Sequence, residues 1–254
     1  MNYVMSGLKR PFWIGPLVIF GIWWLTAAGQ WISPKLLPDP ISTIGVLWSS
    51  LIDGSIAADF FGTLNRTLAA FVIAAALGVP IGIVLGSDPR IYGSLEFPID
   101  FFRSTPATAL FPLFLLIFGI GEESKIGIAA FSAWLVIVFN VAYGVINAKP
   151  ARVLAARVMG ASRARIFRDV MFFESLPQTC IGLRLGVSYA LVVIIVAEMF
   201  IGSANGMGRR IIDAQQVFDL RQMYASIIAT GCLGYGINAV FLALERRFVK
   251  WGGK

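Results

Sequence analysis

Residues 151–177 read ARVLAARVMGASRARIFRDVMFFESLP and form the longest polar interruption between two strongly apolar blocks of the chain. Five arginines lie in this stretch against two acidic residues. Ala156 and Gly160 are four positions apart, with Ala155 close by, so a helix would place these small residues on one face. A basic surface with small residues predicts a site where another protein docks on the cytoplasmic side. The alternative is a cytoplasmic loop whose arginines only orient the chain.

The composition predicts an integral membrane protein. Of 254 residues, 57% are hydrophobic and 14% are charged, whereas soluble domains carry about 25% charge. The net charge of +7 is spread between apolar runs rather than gathered on one soluble face, which argues against nucleic acid as a partner. The positive residues are instead available to set the topology and to contact anionic headgroups of membrane lipids.

The residue inventory disfavours several chemistries. The chain has no histidine, which removes histidine metal sites and histidine-dependent triads. Cys180 and Cys232 lie in apolar stretches, where they predict buried filler rather than a disulfide framework. No GxxxxGK[ST] motif occurs, and Gly206-Met207-Gly208 is only a fragment of a dinucleotide-binding pattern. An intramembrane enzyme therefore has little support, and no cofactor is predicted in this chain.

Long apolar runs predict an all-α polytopic protein with six transmembrane helices. The predicted spans are residues 12–29, 59–86, 97–119, 126–146, 179–201 and 222–244. The first run could instead be a cleaved signal peptide, but its length and its tryptophans favour a retained helix. Residues 41–56 have apolar side chains at helical spacing in a run too polar to span, which predicts an interfacial amphipathic helix. Residues 202–221 are predicted to be a polar loop.

The distribution of positive charge predicts the orientation of these spans. With the N-terminus inside, thirteen lysines and arginines face the cytoplasm, among them Lys9, Arg10, Lys250 and Lys254. Five face outward: Lys35, Lys125, Arg209, Arg210 and Arg221. Because positive loops are retained on the cytoplasmic side, both termini and residues 149–177 are predicted to be cytoplasmic.

Small residues and prolines mark helix contacts and breaks. Gly78, Gly82 and Gly86 recur every four positions in the second span, a spacing that lets another helix approach closely. Pro106 and Pro112 interrupt the third span. Proline frees backbone carbonyls, which at membrane depth must be satisfied by protein or water. The third span is therefore either simply kinked or part of the lining of a pathway.

Charged residues inside the spans are the candidates for a pathway. Arg66 and Glu198 fall at similar predicted depths near the outer end of spans two and five, so we hypothesise an ion pair at the mouth of a pathway. The alternative is that each side chain reaches the interface independently. Arg103 and Arg184 lie near the inner starts of spans three and five. They are interpreted as snorkelling to headgroups, with attraction of an anionic solute as the alternative.

Short motifs from about residue 36 to residue 247 carry a family resemblance. They are LPDP at 37–40, LGVPIG at 77–82, FRSTP at 102–106, FGIGEESK at 118–125 and VAEM at 196–199. Within residues 149–177 they are Ala155-Ala156, Gly160-Ala161-Ser162 and Leu176-Pro177. With these motifs the chain resembles the permease subunit of binding-protein-dependent ABC importers, in particular the nitrate, sulfonate, taurine and bicarbonate branch.

The chain departs from the family pattern at two places in this segment. The family's loop motif opens with Glu-Ala-Ala, but Leu154 stands at the first position. The later Ile-x-Leu-Pro is replaced by Val-Met-Phe-Phe at 170–173, while Leu176-Pro177 is retained. A salt bridge from the motif's first position is therefore excluded.

The resemblance implies a fold, a function and a set of site residues. The fold would be that of a type I (MetI-like) ABC importer permease. Residues 1–58 would hold a transmembrane helix and the interfacial helix, residues 59–245 a five-helix core with the coupling loop 149–177, and residues 246–254 a cytoplasmic tail. The residues that would couple to the ATPase are Ala155, Ala156, Gly160, Ala161, Ser162, Ile166, Phe167 and Pro177.

The resemblance also implies partners. They would be two ATPase subunits that carry ATP and Mg²⁺, a second copy of this permease, and a periplasmic or lipid-anchored solute-binding protein, all at the bacterial inner membrane. The solute would be a small anion such as nitrate, a sulfonate, taurine, bicarbonate or an organic carboxylate. A membrane scaffold that transports nothing is the alternative function, and an adjacent ATPase gene would discriminate between the two.

Overall fold

A computed structural model describes residues 13–248, and every regular element in that range is helical, so the all-α prediction is confirmed. The helices are α1 (Ile14–Ala28), α2 (Pro40–Ile52), α3 (Ala57–Ser87), α4 (Pro89–Ser104), α5 (Phe111–Phe118), α6 (Glu122–Ile146), α7 (Pro150–Val158), α8 (Arg163–Ile166), α9 (Phe172–Phe200), α10 (Met207–Gln216) and α11 (Leu220–Phe248). Lys9, Arg10, Lys250 and Lys254, and most of the predicted tail 246–254, lie outside the described residues.

Four stretches within residues 13–248 are long and apolar enough to cross a membrane: α3, α6, the run Arg163–Phe200 and α11. Helices α4 and α5 make a fifth if they are taken as one broken span, bent by 94°. The remaining predicted span, residues 12–29, corresponds to α1, whose 15 residues are fewer than the roughly 20 that cross a hydrocarbon core. The predicted division at residues 58 and 245 stays a prediction.

One residue ends the second span and starts the next helix. Asp88 has extended backbone angles (φ −135°, ψ 117°), which stop α3. Its Oδ1 accepts the backbone N–H of Arg90 at 2.8 Å, and Pro89 follows at the first helical position. An N-cap followed by proline is a strong helix start. The third span therefore starts as α4 at Pro89, earlier than the predicted residue 97.

The N-terminal helices lie against α11. Asp39 caps α2 by accepting the N–H of Ser42 at 2.9 Å, and the predicted range 41–56 ends earlier, at Ile52. The indole N–H of Trp23 in α1 donates to the carbonyl of Pro38 at 3.1 Å. Its ring stacks on that of Tyr224 in α11 with centroids 6.0 Å apart. Trp23 thus connects α1 both to the segment between α1 and α2 and to α11.

The glycine series of α3 packs against α6 within the same chain. A Cβ atom on Gly82 would lie 2.7 Å from Cβ of Val141 and 2.9 Å from the carbonyl oxygen of Val138. A Cβ on Gly78 would meet Ile137 at 2.9 Å, and one on Gly86 would meet Val145 at 2.6 Å. All three glycines are buried. The two helices approach closely because these positions have no side chain.

Substitution of Gly82 with alanine is therefore expected to destabilise the α3–α6 contact. The added methyl would collide with a backbone carbonyl, and overpacking of this kind costs about 1–3 kcal/mol. Thermal unfolding of the purified protein in detergent measures the effect. Gly21→Ala in α1 is the matched control, because a Cβ there meets nothing within 4 Å and alanine favours a helix. Equal midpoints for the two variants would contradict the packing described for α3.

The prediction of a polar loop at residues 202–221 is wrong over its central part, which forms α10. One face of this helix packs against the rest of the protein through the buried residues Met207, Gly208, Ile211 and Ala214. Their spacing is helical and was visible in the sequence. The prediction missed it because the positions beside them carry the partly exposed Arg209 and the exposed Asp213 and Gln215, which make the stretch polar on average.

Candidate functional site

The 149–177 segment begins with α7, which ends in a glycine cap. The N–H of Ala161 donates to the carbonyl of Ala156, and the N–H of Gly160 to that of Arg157, both at 3.0 Å. Gly160 has φ +77°. This pair of bonds around a left-handed residue is the Schellman motif. Gly160 is therefore required for its backbone conformation, and the chain turns back directly after α7.

This geometry corrects the predicted small-residue face. Gly160 lies beyond the end of α7, so it does not share a helix face with Ala156. Ala156 is buried within the chain, so its side chain is not available to a partner. Ala155 and Ser162 are exposed, whereas Ala161 is half-buried. Ala156 and Gly160 are four positions apart, but they could share a helix face only if the helix continued to Gly160, and α7 ends at Val158.

The exposed part of the segment is an apolar tip with a basic rim. Val158 and Met159 are each 80% exposed, and Leu154 on the same helix is also exposed. Arg157, Arg163 and Arg165 are close to them in sequence and are also exposed. Beside this tip, a cavity of about 1020 Å³ is lined by Arg157 and Arg163 and, from the α3–α4 corner, by Asp88 and Arg90. Exposed apolar side chains within a basic surface suit contact with another protein.

The second half of the segment is continuous with the fifth span. Ser162 caps α8, Ile166 is buried, and Phe167–Met171 form a π-helical turn that leads directly into α9. Arg163–Phe200 thus forms one 38-residue helical run, which includes Pro177. Arg152 of α7 also forms an ion pair with Glu174 of α9. The tip is thus connected to α9 both along the chain and through this ion pair.

A second cluster of polar residues lies at the opposite end of α9. Nη1 of Arg66 lies 2.8 Å from Oε1 of Glu198. Both side chains are buried. The hydroxyl of Thr63, one turn before Arg66, lies 2.8 Å from Oε2 of Glu198. The structure thus brings together the two residues singled out in spans two and five.

Glu122, whose side chain is 49% exposed, and the buried Lys125 extend this network. The guanidinium of Arg66 contacts Glu122 through Nε and Nη2. Nζ of Lys125 lies 2.7 Å from Oε1 of Glu122 and also reaches the carbonyl of Gly202 and the hydroxyl of Ser203. Lys125 is only 2% exposed, although the sequence placed it among the outward-facing charges. Two cations and two carboxylates are thus arranged so that each charge has an opposite partner. The buried charges of Arg66, Lys125 and Glu198 require such partners.

The start of α10 is hydrogen-bonded to the same network. The backbone N–H of Gly208 donates to Oε2 of Glu198 at 2.9 Å, and that of Met207 donates to the hydroxyl of Thr63 at 2.8 Å. Nη1 of Arg66 donates to the carbonyl of Asn205 at 2.8 Å. Unpaired N–H groups at a helix start favour a carboxylate. The Gly206-Met207-Gly208 fragment is thus explained by close approach of the chain to Glu198.

A third feature is a cavity of about 700 Å³ beside the broken span. It is bounded by the bend between α4 and α5 and by side chains of α6 and α9, among them Phe131, Asn140 and Tyr189. Arg103, at the last turn of α4, lines it. Arg184 does not, and its guanidinium lies 3.8 Å from Glu245. From the sequence, both arginines had the same interpretation, whereas in the structure only Arg103 of the two lines the cavity.

The 149–177 segment, the Arg66–Glu198 network and the cavity lie in different parts of the structure. The residues predicted to line a pathway therefore do not form a single site. Arg66 and Glu198 belong to the buried network and Arg103 to the cavity. Gly78, Gly82 and Gly86 belong to the α3–α6 contact. Among the described residues, Lys125, Thr63 and Gly208 were missed from sequence because their roles depend on contacts between residues distant in the chain.

Comparison with known proteins gives consistent matches. Residues 78–251 match the family model described as "Binding-protein-dependent transport system inner membrane component". A probable ABC transporter permease protein of Brucella melitensis is 33% identical over 252 residues, with 99% of this chain and all of that protein covered. The taurine transport system permease protein TauC of Escherichia coli is 30% identical, with 95% and 90% of the two chains covered.

A solved structure shares the fold. It is described as an inward-facing conformation of the MetNI methionine ABC transporter, and it superposes with a TM-score of 0.64 at 20% identity. The match covers 74% of this chain and 94% of that chain.

Proposed function

This chain belongs to the family of binding-protein-dependent transport system inner membrane components, and we propose that it couples a separate ATPase to the import of a small anion. The family consists of ABC transporter permeases, which are multi-pass proteins of the inner membrane. Its fold is of the MetI type, as the sequence predicted. The taurine permease among its relatives agrees with the predicted branch.

The observation that carries the proposal is the apolar tip of the 149–177 segment. Val158 and Met159 are each 80% exposed at the end of a capped helix, and the segment continues into α9. Such a tip can insert into a groove of an ATPase while the arginines contact acidic edges. Closure of an ATPase dimer around ATP and Mg²⁺ would then move α9. The force would enter here because this chain has no phosphate-binding motif of its own.

The proposed assembly contains two copies of this chain, two ATPase subunits and a solute-binding protein. The 149–177 segment and both termini would face the cytoplasm. The opposite end, with α10 and the Arg66–Glu198 network, would face outward and meet the binding protein. Arg209 and Asp213, paired at 3.0 Å on the exposed face of α10, would supply polar contacts there. Membrane lipids would surround the exposed apolar faces of α1 and α2.

The proposed solute is a small molecule with an anionic group, by analogy with taurine, a zwitterion that carries a sulfonate. Nitrate, other sulfonates, bicarbonate and organic carboxylates belong to the same proposal. Arg103 lines the cavity beside the broken span and supports the proposal, since a cation in a cavity wall attracts anions.

Replacement of Gly160 with valine is expected to abolish co-purification with the ATPase and transport, while the chain still inserts into the membrane. Valine is β-branched and strongly disfavoured at φ +77°, so the Schellman cap would open and the tip would lose its shape. A Cβ at this position meets nothing within 4 Å, so the fold of the spans should survive. Pull-down of the ATPase by tagged permease, with detergent-stable yield as the folding readout, measures the effect.

Gly160→Asn is the matched control, because asparagine tolerates the left-handed conformation. We expect it to retain most ATPase binding. Normal transport by the valine variant would exclude the coupling role of this segment.

A further inference from the structure

The cavity beside the tip has a wall that is basic on one part and apolar on another. Its volume is about 1020 Å³, and it lies between the α3–α4 corner and the 149–177 segment. The polar residues that line it are Ser87, Asp88, Arg90, Arg157 and Arg163. The other six lining residues are apolar, and the largest are Phe167 and Met171. A lining of this kind fits an amphiphilic ligand with an anionic group.

The three arginines of the wall have no ionic partner of their own. All three are exposed, and none of their guanidinium groups forms an ion pair or a hydrogen bond with another residue in the part of the chain that the structure describes. Arg152 in the same segment differs, because it pairs with Glu174. Arginine binds phosphate through two parallel N–H donors. The cavity therefore offers three free guanidinium groups to one ligand.

The two other polar residues of the wall are engaged locally. The hydroxyl of Ser87 donates to the carbonyl of Ile83 at 2.6 Å. Oδ1 of Asp88 accepts the backbone N–H of Arg90 at 2.8 Å, which caps α4. The carboxylate of Asp88 nevertheless keeps its charge, so it offsets one of the three arginines. The wall is left with an excess of two positive charges.

The hydropathy of α3 places part of this wall at the level of the lipid headgroups. Residues 67–87 contain no charged residue, and about 20 apolar residues cross a hydrocarbon core. Ser87 is the last residue of this span, so Asp88 and Arg90 follow where the headgroup region begins. In the proposed orientation this is the cytoplasmic leaflet, and basic pockets between spans on that side bind anionic headgroups.

We infer that this cavity binds an anionic phospholipid of the cytoplasmic leaflet, whose phosphate contacts Arg90, Arg157 and Arg163 and whose apolar part packs on Phe167 and Met171. The inference goes beyond the proposed function and takes only the orientation from it. The bound lipid would connect the α3–α4 corner to the 149–177 segment, because its phosphate contacts arginines from both.

The mixed lining favours a phospholipid over the other anions that could reach this side. Inorganic phosphate or an acidic segment of a protein would use the arginines and leave the apolar part of the wall uncovered. The tip itself stays available to the ATPase, since Val158, Met159 and Arg165 do not line the cavity.

The test is native mass spectrometry of the full chain in a neutral detergent, titrated with phosphatidylglycerol or with phosphatidylcholine of identical acyl chains. Phosphatidylglycerol should bind roughly fivefold more tightly, because choline would meet the excess positive charge of the wall. Arg90→Gln should weaken phosphatidylglycerol binding by about fivefold, as expected for one cation near a membrane surface. Arg90→Lys should retain most of the binding, since the charge remains.

Two further variants make the comparison specific to the cavity. Lys149→Gln is the matched control, because Lys149 is exposed on the same segment but does not line the cavity, and it should bind as the unmodified chain does. Asp88→Asn should bind phosphatidylglycerol more tightly. Asparagine caps a helix as well as aspartate does, so the corner keeps its shape while the opposing charge is removed.

Equal affinity of Arg90→Gln and Lys149→Gln for phosphatidylglycerol would overturn the inference, as would equal binding of the two lipids by the unmodified chain. Displacement of the lipid by glycerol 3-phosphate at equal concentration would show a site for soluble phosphates instead. Displacement by the ATPase would assign the cavity to that protein, which also overturns the inference. Pull-down of the ATPase in lipid-free detergent is a separate readout, since an ATPase that binds a chain without lipid selectivity leaves the proposed function standing.

Discussion

Replacing Arg66 with methionine is expected to destabilise the protein more than replacing Glu198 with glutamine. Without Arg66, the buried carboxylate of Glu198 keeps only the hydroxyl of Thr63 and the N–H of Gly208. Without the charge of Glu198, Arg66 still contacts Glu122 and Asn205. Removal of one partner from a buried pair costs about 3–5 kcal/mol. The arginine variant should reach that cost and the glutamine variant should stay below it.

The double variant Arg66→Met/Glu198→Gln should be more stable than Arg66→Met alone, because glutamine removes the uncompensated charge and can still accept the N–H of Gly208. The measurement is thermal unfolding in detergent of the unmodified protein, the two single variants and the double variant, which together form a double-mutant cycle. Strictly additive shifts would contradict direct coupling of the two residues. A charge swap is expected to fail, since a glutamate at position 66 would face Glu122.

Gly208→Ala is expected to displace α10 and to remove transport. A Cβ atom at this position would lie 2.2 Å from the carbonyl oxygen of Ile195 and 2.8 Å from Cβ of Glu198. The first contact is with helical backbone, which cannot move aside cheaply. The N–H of Gly208 would then separate from Glu198, and the start of α10 would lose its bond to the network. The combined cost should exceed the roughly 1–3 kcal/mol of ordinary overpacking.

The measurement is amide hydrogen exchange across residues 202–221, together with solute uptake. Exchange should rise in the variant because α10 detaches. Gly45→Ala in α2 is the control, since a Cβ there meets nothing within 4 Å and the helix is also short. Unchanged exchange in Gly208→Ala would show that α10 does not depend on this approach.

The sequence predicted the long helices well, because an apolar run needs no partner to be recognised. Helices α3, α6, α9 and α11 were all expected within a few residues at most boundaries. Helix α4 was predicted only from residue 97, because Arg90 and Glu96 lower the hydropathy of its first part. Helix α10 was missed since its buried positions alternate with charged ones.

The candidate site was less predictable, for a physical reason. Arg66 and Glu198 could be paired because both are charges at similar depth in apolar runs. The burial of Lys125 could not be foreseen, since it depends on Gly202 and Ser203, about 77 positions later. The spacing of Ala156 and Gly160 was misleading because the same glycine that fits a helix face also ends a helix. The cavity around Arg103 depends on the 94° bend of the third span, whose prolines predict a break but not its angle.

The central claim is that this chain imports an anion only when a separate ATPase acts on the 149–177 segment. Its most direct test is uptake of a labelled sulfonate into proteoliposomes that contain the chain, its ATPase and its solute-binding protein, with ATP supplied on the ATPase side. We expect uptake that requires all three proteins and is lost in Gly160→Val but retained in Gly160→Asn. Uptake no greater than in vesicles without the chain, or equal uptake by the two variants, would contradict the account.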